Sequence, residues 1–224
     1  MAKSKRYRAV VDQAGERREL NVIDAIKVVK KSSTAKFDET IECHMHVNIK
    51  GNQTVRDTTI LPHGFQKEQK ILVFARGDKA AEAEAAGATF VGAEDMVAKV
   101  QKGWVDFDVA IATPDMMREV GKLGPVLGRR GLMPNPKTRT VTNDLAEAIA
   151  EVKKGRIEFR ADKSGVIHVV VGKASMESGA LVENLEFMVN EIIKQRPADL
   201  KGEFVSSIFL SPTMGPSVKV LNDE

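Results

Sequence analysis

The spacing of apolar positions changes period several times along this chain, and each change predicts a different kind of element. Tyr7, Val10 and Val11 fall at helical spacing within residues 4–12, which predicts a basic N-terminal helix. Asn21 followed by Asp24 matches an N-cap with an acid at its third position, and Ile23, Ile26, Val29 and Lys30 continue along VIDAIKVVKKS as a helix whose last turn is basic. From Thr40 to Lys50 the period falls to two. Ile41, Cys43, Met45, Val47 and Ile49 alternate with Glu42, His44, His46, Asn48 and Lys50, so one face is buried and the other wet, as in an antiparallel sheet. TTILP at 58–62 predicts a second strand, stopped by Pro62.

Beyond His63 and Gly64 the alternation disappears. KILVFA (70–75) is apolar without polar interruption, which suits a strand buried on both faces. An Ala-rich helix closed by Gly87 follows, then ATFVG, the helix EDMVAKVQKG, the strand DVAIAT (108–113) and a helix opened by Pro114. Strand and helix alternating at this spacing predict a parallel α/β sheet, completed by the helix DLAEAIAEVKKG (144–155). From Arg156 the first style returns. IEFRADKSGVIHVVVG reads as two strands joined by a turn at Asp162–Gly165, and Leu181, Leu185, Met188, Val189, Ile192 and Ile193 form an amphipathic helix within 180–194. EFVSSIFLS (203–211) and SVKVL (217–221) are closing strands. The expected organisation is a discontinuous α+β domain from both termini, 1–66 plus 159–224, with a Rossmann-like three-layer α/β domain inserted at 67–158. Reversals near 62–64 and at Gly155 would be the hinge; a single continuous α/β domain is the alternative.

Composition narrows the function classes. The 224 residues hold 42% apolar and 29% charged side chains, ordinary globular usage, and no apolar run approaches a membrane span. The N-terminus has no apolar stretch that would make a signal peptide, and one cysteine excludes an internal disulfide and fits a reducing cytosol. The formal net charge is +3, but basic groups cluster. Lys3, Lys5, Arg6 and Arg8 occur without an acid in residues 1–8, as do Lys122, Arg129, Arg130, Lys137 and Arg139 between Glu119 and Asp144. Such islands suit chosen contacts with a polyanion, or arise by chance on a charged surface.

Motifs for chemistry are scarce. No G-x-x-x-x-G-K-[ST] and no G-x-G-x-x-G occurs, so the α/β segment lacks the usual nucleotide fingerprints. Cys43 falls on the inward face of its strand and reads as a buried thiol. His44 and His46 share a face, but two ligands do not make a metal site, and no carboxylate pair stands out for acid/base work. GKLGPVLGRRGLMPNPKTRTVT (121–142) is either a basic loop meeting phosphates or a structural connection. LSPTMGPSVKV (210–220) sets Thr213, Met214 and Gly215 between two prolines, as a hairpin turn or as a rigid presenter of polar groups to an RNA 2′-OH. In TAKFDET (34–40), Phe37 beside Lys36 is either core or a base-stacking platform.

Read together, KRYRA (5–9), TAKFDET, LPHG (61–64), ATPDMM (112–117), LGPVLGRRGLMPNPK, GRIEFRADKSGVIH (155–168), VGKAS (171–175) and PTMGPSVKV resemble one family from Lys5 to Val220, the bacterial ribosomal protein L-one family, the stalk protein of the large subunit. The resemblance implies the same split domain with an α/β insertion. It implies a cytoplasmic, ribosome-bound protein of the 50S subunit, monomeric when free, with no catalytic residue, cofactor or metal. Its partners would be large-subunit rRNA at the mobile stalk, exit-site tRNA whose release the stalk assists, and its own operon messenger, which it would repress. Carried to matching positions, the family's RNA contacts are Lys36, Phe37, Glu39, Thr40, Asp162, Lys163, Ser164, Gly165, His168, Ser207, Thr213, Met214 and Gly215. Ser164 stands where threonine is common, keeping the hydroxyl, and Pro212 removes a backbone donor just before Thr213. Phe37, Asp162 and Thr213 are expected to meet in one preformed patch, with Lys3, Lys5, Arg6, Lys36 and Lys163 adding a salt-dependent attraction. A nucleotide-dependent α/β enzyme and a messenger repressor without ribosome association are the competing readings.

Overall fold

The structure is a computed structural model that describes residues 4–14, 19–49, 54–65, 69–198, 200 and 202–221. Lys3 and Lys50 lie outside the described residues. In chain order the elements are α1 (Lys5–Ala14), α2 (Val22–Ser32), β1 (Thr40–Val47), β2 (Arg56–Ile60), β3 (Ile71–Phe74), α3 (Asp78–Ala85), β4 (Phe90–Gly92), α4 (Glu94–Gln101), β5 (Val109–Ala112), α5 (Met117–Val120), α6 (Gly124–Leu127), α7 (Leu145–Lys153), β6 (Arg156–Arg160), β7 (Val166–Lys173), α8 (Ser178–Lys194), β8 (Val205–Pro212) and β9 (Val218–Val220). The chain divides into two compact units, one joining Met1–Phe65 to Ile157–Glu224 and the other spanning Gln66–Arg156. Ile157 and Phe159 of β6 are buried in the core of the terminal unit.

The terminal unit is built on an antiparallel sheet in the order β7-β1-β8-β9, with β2 and β6 forming a separate pair. The alternation of β1 is realised: Ile41, Cys43, Met45 and Val47 are no more than 1% exposed. They pack against Ala25, Ile26 and Val29 of α2 and against Leu181, Leu185, Met188 and Ile192, one stripe of α8. Asn21 caps α2, its side-chain oxygen accepting the Asp24 N–H at 2.8 Å. Asn184 is fully buried on α8 and accepts the His63 N–H (3.0 Å) while donating to the carbonyls of His63 (2.9 Å) and Val171 (3.0 Å), so the LPHG segment is fastened to this helix.

Strand β1 stops at Val47, short of the expected Lys50. A register shift after His46 turns the next amides elsewhere: Val47 N–H donates to Gly165 O (2.7 Å) and Asn48 N–H to Phe204 O (2.8 Å). Gly165 has φ +78°, and a Cβ there would lie 2.7 Å from the Val47 carbonyl oxygen. Gly165→Ala is therefore expected to lower the unfolding free energy by about 1–3 kcal/mol, from left-handed strain and lost approach combined. A urea melt with an unshifted midpoint would contradict this.

The other unit carries a parallel sheet in the order β4-β3-β5. All four residues of β3 are buried, as an apolar run without alternation requires when both faces are covered. Leu72, Phe74, Ala110 and Ala112 face Met96, Val97 and Val100 of α4 together with Val120, Leu123 and Leu127. Ile71, Val73 and Ile111 face Ala83 of α3 and Leu145, Ala148, Ile149 and Val152 of α7, so helices lie on both sides. The glycine-rich segment after β5 is not an irregular loop. Its first half forms successive short helical turns, because Val120, Leu123 and Leu127 keep helical spacing and are fully buried, while Gly121, Gly124 and Gly128 interrupt a continuous helix. Arg129 and Arg130 stay exposed on the last of these turns, which Gly131 ends at φ +72°.

Candidate nucleic-acid interface

Residues paired across antiparallel strands share a face. The wet side of β1 therefore carries Glu42, His44 and His46, flanked by His168 of β7 opposite His44 and by Ser211, Phe209 and Ser207 of β8 opposite Glu42, His44 and His46. A polar row runs across it. His44 Nδ1 is 2.8 Å from His168 Nδ1, His44 Nε2 is 3.0 Å from Ser211 Oγ, and His46 Nδ1 is 2.6 Å from Ser206 Oγ. One imidazole of the first pair must donate and the other accept, so the pair cannot be doubly protonated and keep this bond. Burial and then the neighbouring His168 lower the pKa of His44, against an opposing pull from Glu42. Among the described residues no group of three or more His, Cys, Asp and Glu side chains is placed to hold a metal.

At the start of β1 two segments from opposite ends of the chain are sewn together. Thr213 N–H and Oγ1–H both donate to the Thr40 carbonyl (3.0 and 3.2 Å), and Thr40 N–H donates back to Thr213 Oγ1 (2.9 Å). Lys173 Nζ donates to Thr40 Oγ1 at 2.7 Å. Glu39 is 1% exposed, and its carboxylate accepts the Ala35 N–H (2.7 Å) and the Met214 N–H (2.8 Å). Asp38 accepts both the N–H (3.1 Å) and the hydroxyl (2.8 Å) of Ser175, and Ala174 N–H donates to Glu39 O (2.8 Å). Gly215 lets the turn close on α2: a Cβ there would meet Ser32 O at 3.1 Å and Pro212 Cγ at 2.5 Å. Out of this braced platform project Phe37 (55% exposed) and Met214 (48%), with Lys36 exposed beside Phe37 in sequence. Phe37 is thus not a core residue.

The β6–β7 turn is organised by Asp162. Its Oδ1 accepts the N–H groups of Ser164 (2.8 Å) and Val166 (2.9 Å), and the Ser164 hydroxyl lies 2.9 Å from each carboxylate oxygen. The Val166 amide, then the Ser164 hydroxyl, hold its pKa below the usual value. A depressed carboxylate pKa favours the ionised folded form, so this brace is present above the unfolded pKa and is lost as pH falls through the folded one. Lys163 and Ser164 are exposed, whereas Gly165 is buried against Val47.

The expected single patch is not what forms. Lys36, Phe37, Glu39, Thr40, Thr213, Met214 and Gly215 gather at the Thr40 end of β1, while Asp162, Lys163, Ser164 and Gly165 sit at its Val47 end, on the order of 20 Å away along the strand. Antiparallel pairing dictates this: the last residues of β8 lie opposite the first of β1, and the first of β7 opposite its last. His168 and Ser207 lie between the two groups, opposite His44 and His46. Glu39 and Gly165 are buried and shape the surface from beneath rather than forming it. Ser206, Ser211 and Asp38 were not singled out from the sequence, since only strand pairing reveals which serines share the histidine face.

Comparison with known proteins adds the following. A family model described as the Ribosomal protein L1p/L10e family matches residues 29–216. The large ribosomal subunit protein uL1 of Borrelia duttonii (strain Ly) is 54% identical over 221 residues, 98% of this chain and 99% of the relative. That of Borreliella burgdorferi is 54% identical over 218 residues, covering 97% of this chain and 96% of the relative. That of Treponema denticola is 55% identical over 196 residues, covering 88% and 87%.

Proposed function

Starting from the fact that this chain belongs to the Ribosomal protein L1p/L10e family, whose members are ribosomal proteins and not enzymes, we propose that it is a constituent of the large ribosomal subunit that binds large-subunit rRNA through the terminal unit. The observation that carries the reading is the exposure of Phe37 and Met214 on a platform in which the Ala35, Thr40 and Met214 N–H groups are each held by a side-chain acceptor. Large apolar groups held rigidly in water are suited to stacking on unpaired bases and riboses. The Thr40 end of β1 is the principal contact. The histidine row and the Asp162 turn form a second contact along the same strand, so a folded RNA meets two separated points of one rigid sheet. Lys36 and Lys163 are exposed near these two contacts and contribute the counterion-release component.

The family resemblance extends the reading. The bound rRNA is that of the mobile stalk beside the tRNA exit site, where the protein assists release of deacylated tRNA from a cytoplasmic ribosome. The same face serves to repress the protein's own operon messenger, since a second structured RNA of like shape would fit it.

A filter-binding titration of the full chain with a stalk-junction fragment of large-subunit rRNA tests this, alongside co-sedimentation with large subunits. Binding that weakens with rising salt is expected; no binding at low salt would end the proposal. Asp162→Ala is the informative variant. Removing an acid should help a purely electrostatic binder, yet loss of the acceptor for Ser164 and Val166 should loosen the turn and weaken binding several-fold. Tighter binding by Asp162→Ala would defeat recognition by shape at this turn.

A further inference from the structure

The Thr40 end of β1 has a third component, from α1, where Arg6 was expected only to add a salt-dependent attraction. Met214 presents its side chain to solvent, and both of its backbone polar groups are held by side chains from elsewhere. Glu39 accepts its N–H at 2.8 Å, and Arg6 of α1 donates from Nη2 to its carbonyl oxygen at 3.2 Å. The same two side chains also hold the neighbouring segment: Glu39 accepts the Ala35 N–H (2.7 Å) and Arg6 donates from Nη1 to Thr34 Oγ1 (3.1 Å). Two adjacent cross-links thus join residues 34–35 to Met214, one buried and acidic, the other exposed and basic. Arg6 reaches over 28 residues to Thr34 and 208 to Met214, so neither bond belongs to local helix structure. Val10, one turn further along α1, is buried at 4%, and α1 packs on α2, which fixes the helix that carries the guanidinium.

We propose that Arg6 is a positioning residue of the RNA-binding end, locking the Phe37 and Met214 segments together, and that α1 is part of the recognition apparatus. This rests on the RNA-binding reading above. The planar fork of arginine is what the geometry uses. Two nitrogens in fixed relation reach two acceptors on different segments, which the single ammonium of lysine cannot reproduce. Being charged, the donor also strengthens both bonds without requiring a carboxylate partner.

The test uses the full chain with Arg6→Gln and Arg6→Lys, measured for binding to the stalk-junction rRNA fragment across a salt series and for amide hydrogen exchange. Arg6→Gln is expected to weaken binding by about 5–10-fold, with Arg6→Lys also impaired, while the slope of affinity against salt is retained. Amides of residues 34–40 and 213–215 should exchange faster in both variants. Unchanged exchange in Arg6→Gln overturns the proposal whatever the affinity does. So does a normal affinity for Arg6→Lys with a slope about one lower for Arg6→Gln, because that pair of results marks a direct phosphate contact. If the unaltered protein fails to bind the RNA, the functional reading falls, and the exchange measurement still decides whether Arg6 locks the two segments.

Discussion

Met214→Asp is expected to reduce affinity for the stalk-junction rRNA by at least about 100-fold, equivalent to about 2.7 kcal/mol, while leaving the thermal unfolding of the protein close to unchanged. The asymmetry follows from where Met214 stands. Its side chain is 48% exposed, so replacing it opens no cavity, and its backbone N–H and carbonyl keep Glu39 and Arg6 as partners whatever side chain is attached. On the binding side two losses add. The thioether side chain offers adaptable apolar surface to a ribose or base, and a carboxylate in its place faces phosphates with like charge. The new carboxylate would also stand near Arg6 and could draw its guanidinium away from Thr34. Met214→Leu separates these effects, since it keeps the apolar contact and should stay within a few-fold of the original affinity. A Met214→Asp protein that binds as tightly as the unaltered chain would remove this end of β1 from the interface.

Glu39→Leu is expected to act in the opposite order, on the fold first and on RNA binding through it. The carboxylate is 1% exposed and accepts two backbone amides from segments distant in sequence. Leucine is of similar bulk but accepts nothing, so the Ala35 and Met214 N–H groups lose a charged acceptor. Allowing for the half-exposed surroundings, the unfolding free energy should drop by about 2–4 kcal/mol. RNA affinity should fall at least about 10-fold even where the protein remains folded, because Phe37 and Met214 lose their fixed separation. Glu39→Gln retains one acceptor oxygen and should lie between. Urea denaturation and filter binding read the two effects separately. Stability loss with intact affinity would show that the platform need not be rigid to bind.

The order of elements was legible because period carries it. The strict alternation from Ile41 to Val47 and the unbroken ILVF run became strands of the two expected kinds, one half-buried and one covered on both faces. Strand ends were less legible. Asn48 and Ile49 continue the alternation in sequence, but the β-bulge after His46 and the approach of Gly165 end the ladder sooner. The segment 121–142 misled for a related reason. Its glycines and prolines mark an irregular backbone, yet Leu123 and Leu127 at helical spacing supply enough burial to coil its first half into short turns.

The residues of the candidate site were nameable from family resemblance, but their roles were not. Glu39 stands among exposed Lys36, Phe37 and Asp38 in the sequence and turns out to be buried with them above it. Asp162 was expected as a direct RNA contact, and its carboxylate is engaged by its own turn. Arg6 was one basic residue among several, and its two acceptors lie on segments that no local pattern connects to it.

Taken alone, the sequence determined which residues face inward, where the chain changes style, and which family's motifs it carries, since these depend on side-chain chemistry and neighbouring spacing. The tertiary structure alone decided that Thr213 and Asp162 fall at opposite ends of one strand, and that Arg6 and Glu39 clasp the same residue, Met214. The physical reason is that antiparallel register and long-range hydrogen bonds are set by how distant segments pack, which local hydrophobic period does not encode.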